Sequence, residues 1–197
     1  MYGIYDGNQV IAQFVTPMTM RSNRPVFVSD TLSLKRQAAI QGAQRWELST
    51  LLMPLSHTAE ELFVTLTVSG HSETILIIAP QNYGVIKRRT SNSNNIRATG
   101  TRHSTSVAIL NNSGLIPKGT FVRFEGHSKV YMTTSDLSGS GVLNVFPGLL
   151  KDVVDENMKH KDDVIMPCML DTSTVIGMAY TDGVLMDNGT ILLLEKL

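Results

Sequence analysis

Hydrophobic and polar residues alternate with a period of two over much of this chain, which is the pattern of strands with one face buried. Thr120 to Glu125 sets Val122 and Phe124 against Arg123 and Glu125, and Lys129 to Thr134 sets Val130 and Met132 against Tyr131 and Thr133. Gly126-His127-Ser128 can turn the chain between them, and Ser138-Gly139-Ser140-Gly141 supplies residues tolerant of positive φ ahead of a third run, Val142 to Phe146. The segment 114–150 therefore predicts an antiparallel meander of three strands.

The same reading extends along the chain. Val10 to Thr16, Pro25 to Val28 and Gln44 to Met53 hold Val, Ile, Phe and Trp in short runs bounded by Asn, Pro, Ser and Gly, which predicts strands in the opening third. Thr58-Ala59-Glu60-Glu61 is a capping-box pattern, and Ala59, Leu62, Phe63 and Leu66 share one helical face before Gly70, so one short helix is expected over 59–68. Glu73 to Pro80 is a further strand, apolar enough to be buried on both faces. After Gln81-Asn82-Tyr83-Gly84 the composition turns basic and then polar, which places a domain boundary at about residue 84. Beyond it, strand-like pieces at Ile96 to Ala98, Ser106 to Leu110, 120–125, 129–134 and 142–146 suit a small barrel of the oligonucleotide/oligosaccharide-binding (OB) type. Lys159 to Asp163 is a charged connector, after which Val164 to Leu170, Thr174 to Tyr180 and Thr190 to Glu195 again have strand character. Asp182-Gly183 and Asp187-Asn188-Gly189 are turn signals between the last two.

Composition narrows the function classes. The chain has 197 residues, 42% of them hydrophobic, enough for a working core in one domain or two. No apolar run reaches the roughly 18 residues of a membrane span, so no membrane partner is expected. The opening Met1-Tyr2-Gly3-Ile4 lacks the basic-then-apolar order of a secretory signal, which sets the expectation of folding in a cytoplasm. A lone Cys168 cannot form an internal disulfide and reads as a small buried hydrophobe. Net charge is zero but unevenly spread: −1 over 1–86, +7 over 87–135 and −6 over 136–197. The two blocks either neutralise each other inside one fold or make faces on which copies stack head to tail.

Tests for chemistry come back largely empty. His57, His71, His103, His127 and His160 never fall at a spacing that aims two of them at one metal ion. Ser138-Gly139-Ser140-Gly141 is a hairpin tip between strands, not a nucleophile elbow. Asp152, Asp155 and Glu156 can pair as carboxylates, but no cleft of aromatic residues for a sugar accompanies them. Phosphate-cradling glycine loops are absent. The sequence thus predicts no enzyme, no cofactor and no metal. Lys87, Arg88, Arg89, Arg97 and Arg102 form a basic patch of the kind that binds single-stranded nucleic acid, yet few aromatic residues are free to stack bases, and no sequence-specific nucleic acid partner is expected. Trp46, the one tryptophan, reads as an anchor in a domain core or at a subunit interface.

The runs PKGTFVRF (117–124), GHSKVY (126–131) and GSGVLNVFPGLL (139–150), preceded by AQRWELSTLLMPL (43–55), resemble in content and order the distal tail (Dit) proteins of long-tailed bacteriophages. Segments 81–105 and 151–172 carry no motif of that family. The resemblance implies a mainly β chain in which 1–84 and 173–197 form a β-sandwich-like ring domain with one short helix, and 85–172 form an inserted OB-like barrel. It implies a structural protein of the phage tail tip, assembled in the host cytoplasm and resident in the virion. Six copies would close a homo-hexameric ring joining the tail tube protein to the baseplate hub or receptor-binding proteins. Arg45, Trp46, Glu47, Ser49 and Leu51, together with edge strands near the termini, are the interface elements this reading selects. Two other readings stay open: a barrel that binds a glycan or other ligand, and a barrel that binds single-stranded nucleic acid.

Overall fold

A computed structural model of the chain describes residues 2–30, 36–40, 43–54, 62, 64, 66–68, 71, 73–89, 95–161, 163–174 and 190–197. Its strands make two closed barrels. The first takes β1 (Gly3–Tyr5), β2 (Val10–Asn23), β5 (Arg45–Pro54), β6 (Ile75–Ile78), β15 (Ile165–Leu170) and β16 (Thr190–Glu195), joined in the order β1-β2-β5-β16-β15-β6. The second takes β7 (Arg97–Gly100), β8 (Ser106–Leu110), β10 (Phe121–Phe124), β11 (Tyr131–Thr133), β13 (Gly141–Phe146) and β14 (Val153–Lys159), in the order β10-β11-β13-β8-β7-β14. Two small sheets stand beside them: β9 (Leu115–Ile116) with β12 (Leu137–Ser138), and β3 (Val26–Asp30) with β4 (Arg36–Ile40).

The mainly β expectation holds, and the meander of 114–150 is present, with β10 pairing β11 and β11 pairing β13. His127 N donates to Phe124 O at 2.9 Å and closes the foreseen turn. Two features differ from expectation. The first unit is a closed barrel where a sandwich-like sheet pair was expected, because β1 pairs with both β2 and β6 and leaves the sheet no edge. That closure needs glycine at position 3, where a Cβ would stand 1.9 Å from Ala12 O. Furthermore, Ile165–Leu170, expected within the inserted part ending at 172, pairs with β6 and β16 of the first barrel. Its alternating inner residues Met166, Cys168 and Leu170 belong to the first core. The second barrel's strands therefore end at Lys159.

The two connections between barrels lie side by side, with Ala79 N donating to Val164 O at 2.9 Å. One of them carries a helix, α1 (Tyr83–Arg88), capped by the Asn82 side chain, which accepts from Gly84 N at 2.8 Å. Of the helix expected over 59–68, residues 62, 64 and 66–68 are described and helical, and Leu62 and Leu66 are buried in the first core. Thr174 is described and buried; the rest of the strand expected at 174–180 lies outside the described residues. Among the described residues no helix is long and apolar enough to cross a membrane.

Candidate functional site

The side chains of β5 alternate as the sequence requires: Trp46, Leu48, Thr50 and Leu52 point inward, and Arg45, Glu47, Ser49 and Leu51 share the outer face. Trp46, expected as an anchor in a domain core or at a subunit interface, is only 4% exposed and is spent within the chain. Its indole Nε1 donates to Val130 O of the second barrel at 2.8 Å, and its ring meets Phe121 and Phe146 edge-on at 5.2 and 6.3 Å. An aromatic this large with one polar atom needs both apolar walls and a single acceptor, and the neighbouring barrel supplies both. Trp46 is thus the anchor of a seam between the barrels.

Around it runs a set of buried polar links. Glu195, at the end of β16, accepts from Trp46 N at 3.0 Å and from Val130 N at 2.8 Å, and it receives the Lys129 ammonium. The Lys129 and Glu195 side chains are 1% and 0% exposed. Burial lowers the Lys129 pKa, opposed by the Glu195 charge, and the ammonium also sits 5.9 Å from the Trp46 ring centroid. Gln81, on the linker before α1, clasps one residue of β10 from both sides: its amide donates to Phe121 O at 2.9 Å and accepts from Phe121 N at 3.0 Å. Arg123 donates to His127 O and to Ile165 O, each at 2.7 Å, and burial lowers its pKa. Trp46, Gln81, Lys129 and Glu195 are buried and Arg123 is half-buried, each with its partners placed, the condition under which a polar network specifies one arrangement.

The outer face of β5 is the part of the expected interface that remains open. Arg45 and Glu47 pair at 3.1 Å, and Asn23 of β2 donates to Glu47 at 2.6 Å. Further along the strand Leu51 and Met53 are 40% and 51% exposed. The terminal strands, expected to offer free edges, do not: β1 is flanked by β2 and β6, and β16 by β5 and β15. On β3, Val26 and Val28 are also exposed.

The remaining candidates for chemistry are engaged in holding the second barrel. Asp152 accepts from Arg102 N at 2.7 Å, Asp155 pairs with Arg97 at 2.7 Å, and Glu156 accepts from Gly126 N at 2.8 Å. Arg88 pairs with Asp136 at 2.6 Å. The basic block and the acidic block of the sequence thus meet inside one fold, and two of the five cations of the patch, Arg88 and Arg97, are paired with carboxylates. His127 is buried, with Nδ1 2.8 Å from Tyr131 Oη and Nε2 3.4 Å from Asp152 O. Asp152 O can only accept, so Nε2 carries the histidine proton and Nδ1 accepts from Tyr131 Oη, which itself accepts from Leu150 N at 3.1 Å. Burial lowers the His127 pKa and raises that of Tyr131 to about 12. His103 and His71 are exposed, while His160 is buried and its pKa is pushed down to about 4. His57 lies outside the described residues. Cys168 is fully buried, and that burial drives its pKa well up. Among the described residues no three His, Cys, Asp or Glu side chains are grouped to hold a metal ion.

Lys129, Glu195 and Gln81 escaped the sequence reading. A single charge at the end of an apolar strand looks the same whether it is solvated or buried, and only the chain crossing between barrels distinguishes the two. Beside the seam a groove of about 700 Å³ opens between β2, α1 and the second barrel. A comparison with protein-family models finds no matching family, and no curated protein matches the sequence.

Proposed function

We propose that the chain is a structural subunit of a bacteriophage virion, a distal tail protein whose copies close a six-membered ring between the tail tube and the baseplate or receptor-binding apparatus. The observation that carries the reading is the ordered set of motifs at 43–55 and 117–150, which meet at the seam: Trp46 from the first, and Phe121, Val130 and Phe146 from the second. A second support is the surface left over once the barrels close. Leu51 and Met53 are exposed on a strand face beside the half-buried Val15 and next to Gln13, Ser49 and Thr190, the mixed composition of a contact patch. The β3–β4 pair adds another, because a two-stranded sheet is marginal in water and gains from a neighbour.

In this reading the protein acts through shape. The seam fixes one barrel against the other, so a ring built from the first barrel would present the second in a defined direction. Antibody raised against the chain should label particles of the virus that encodes it at the far end of the tail in electron micrographs. Label on the capsid, or none on intact or disrupted particles, would overturn the assignment.

A further inference from the structure

The groove beside the seam has a floor of Met18, Met20, Val85, Phe121 and Met132, and among the described residues Arg88 and Lys118 are the only charged ones that line it. Both are cations. The neighbouring acid, Asp136, is taken up by Arg88 at 2.6 Å and by the Lys118 backbone N at 2.6 Å. Among the described residues the Lys118 ammonium makes no close ion pair, although its charge helps hold the Asp136 carboxyl below its usual range; two cations against one carboxylate leave the rim one positive charge in excess over an apolar floor.

On its α1 and second-barrel sides the backbone of the groove is already satisfied. Gly84 N donates to the Asn82 side chain at 2.8 Å, Gly119 N to Thr133 O at 2.8 Å, and both polar backbone atoms of Phe121 are held by Gln81. An extended peptide would bring a row of N–H and C=O groups, for which these two sides offer no partners. A molecule with one charged head and a plain apolar body makes no such demand. Three of the five floor residues are methionines, whose unbranched, polarisable side chains mould to a body of no fixed shape.

We propose that this groove binds a small amphipathic anion, a medium-chain carboxylate in chemical class, with its hydrocarbon on the methionine floor and its head at Lys118. The site is independent of the ring contacts, and its fate does not decide theirs. The test uses the full chain labelled with methyl-¹³C methionine, in which three of ten methionines line the groove. Sodium decanoate, kept below its micelle-forming concentration, should shift the Met18, Met20 and Met132 methyls saturably. Decyltrimethylammonium, with the same tail, should bind about tenfold more weakly, and Lys118→Glu should weaken decanoate by about tenfold through loss and reversal of the head contact. Lys118 is exposed, so the melting temperature should not move; Lys118→Met provides a second, uncharged variant and should fall between the two. The proposal is overturned by no saturable shift, by shifts spread equally to Met158 and Met166, by equal binding of the two surfactants, or by unchanged affinity in both variants. Displacement of decanoate by the acetylated pentapeptide Glu-Leu-Phe-Leu-Glu at lower concentration than decanoate itself would assign the groove to an extended partner and overturn it as well.

Discussion

Replacing Lys129 with methionine tests the seam at its most demanding point. The substitution leaves the Glu195 carboxylate fully buried and held only by the backbone amides of Trp46 and Val130. Removing one partner of a buried ion pair costs about 3–5 kcal/mol, because the charge left behind has lost its counterion but regained no water. For a chain of this length each kcal/mol moves the melting temperature by about 2–4 °C, so the midpoint should fall by roughly 10 °C. The double variant Lys129→Met with Glu195→Gln removes the orphaned charge and should recover at least half of the loss, a coupling that independent sites would not show. Calorimetry gives the midpoints, and the fluorescence of the only tryptophan reports directly on the seam, since Trp46 N is bonded to Glu195. A fall of less than about 2 °C in the single variant, or a double variant as unstable as the sum of its parts, would refute the argument that this pair joins the barrels.

Acid should weaken the fold over a defined window. Burial holds the His160 pKa near 4 against an ordinary 6.5, so the unfolded chain takes up a proton that the folded one refuses. Stability from this group is therefore complete above about pH 6.5 and drains away toward pH 4, by about 3 kcal/mol at most. His127 shifts in the same direction for the same reason. Urea midpoints should fall between pH 7 and 4.5, and less steeply in His160→Gln; an identical slope in the variant would exclude His160 as a cause. Excision gives a second test. Because Ala79 and Val164 are hydrogen-bonded neighbours, replacing 95–161 with a short Gly/Ser linker should leave a first barrel that still melts cooperatively, with red-shifted Trp46 fluorescence from loss of Phe121, Val130 and Phe146. Truncation after residue 164, which removes β15 and β16, should abolish folding of that barrel. The reverse pair of outcomes would contradict the pairing of β15 with β6.

Much of the strand content was legible because period-two alternation is a local signal. Val122 and Phe124, or Trp46 and Leu48, announce their inner face within a few residues. What the sequence hid was non-local or interrupted. Strand β14 escaped notice because its alternation breaks: the register shifts between Val153 and Glu156, and Asp155 adopts φ of 49°. The full length of β2 was masked by Pro17, which sits where the ladder with β5 slips between Val15 and Thr19 and so costs no regular hydrogen bond. Helix α1 has six residues, among whose described side chains only Val85 is buried, too short for a periodic signal. The placement of Ile165–Leu170 in the first barrel depends on pairing with residues 75–78 and 193–195, which no local pattern encodes. The same limit applies to the seam: Trp46 was recognisable as an anchor, while its acceptor, Val130 O, lies 84 residues away.

The most direct test of the assembly reading is the mass of the purified chain by native mass spectrometry across a wide concentration range, for the natural sequence and for Leu51→Glu with Met53→Glu. The account predicts monomer passing to a closed hexamer as concentration rises, since each contact of such a ring is weak until the ring closes. The double variant, altered only at exposed positions of β5, should remain monomeric with its melting temperature unchanged. A stable dimer or tetramer built on an isologous contact, or a hexamer indifferent to both substitutions, would contradict it.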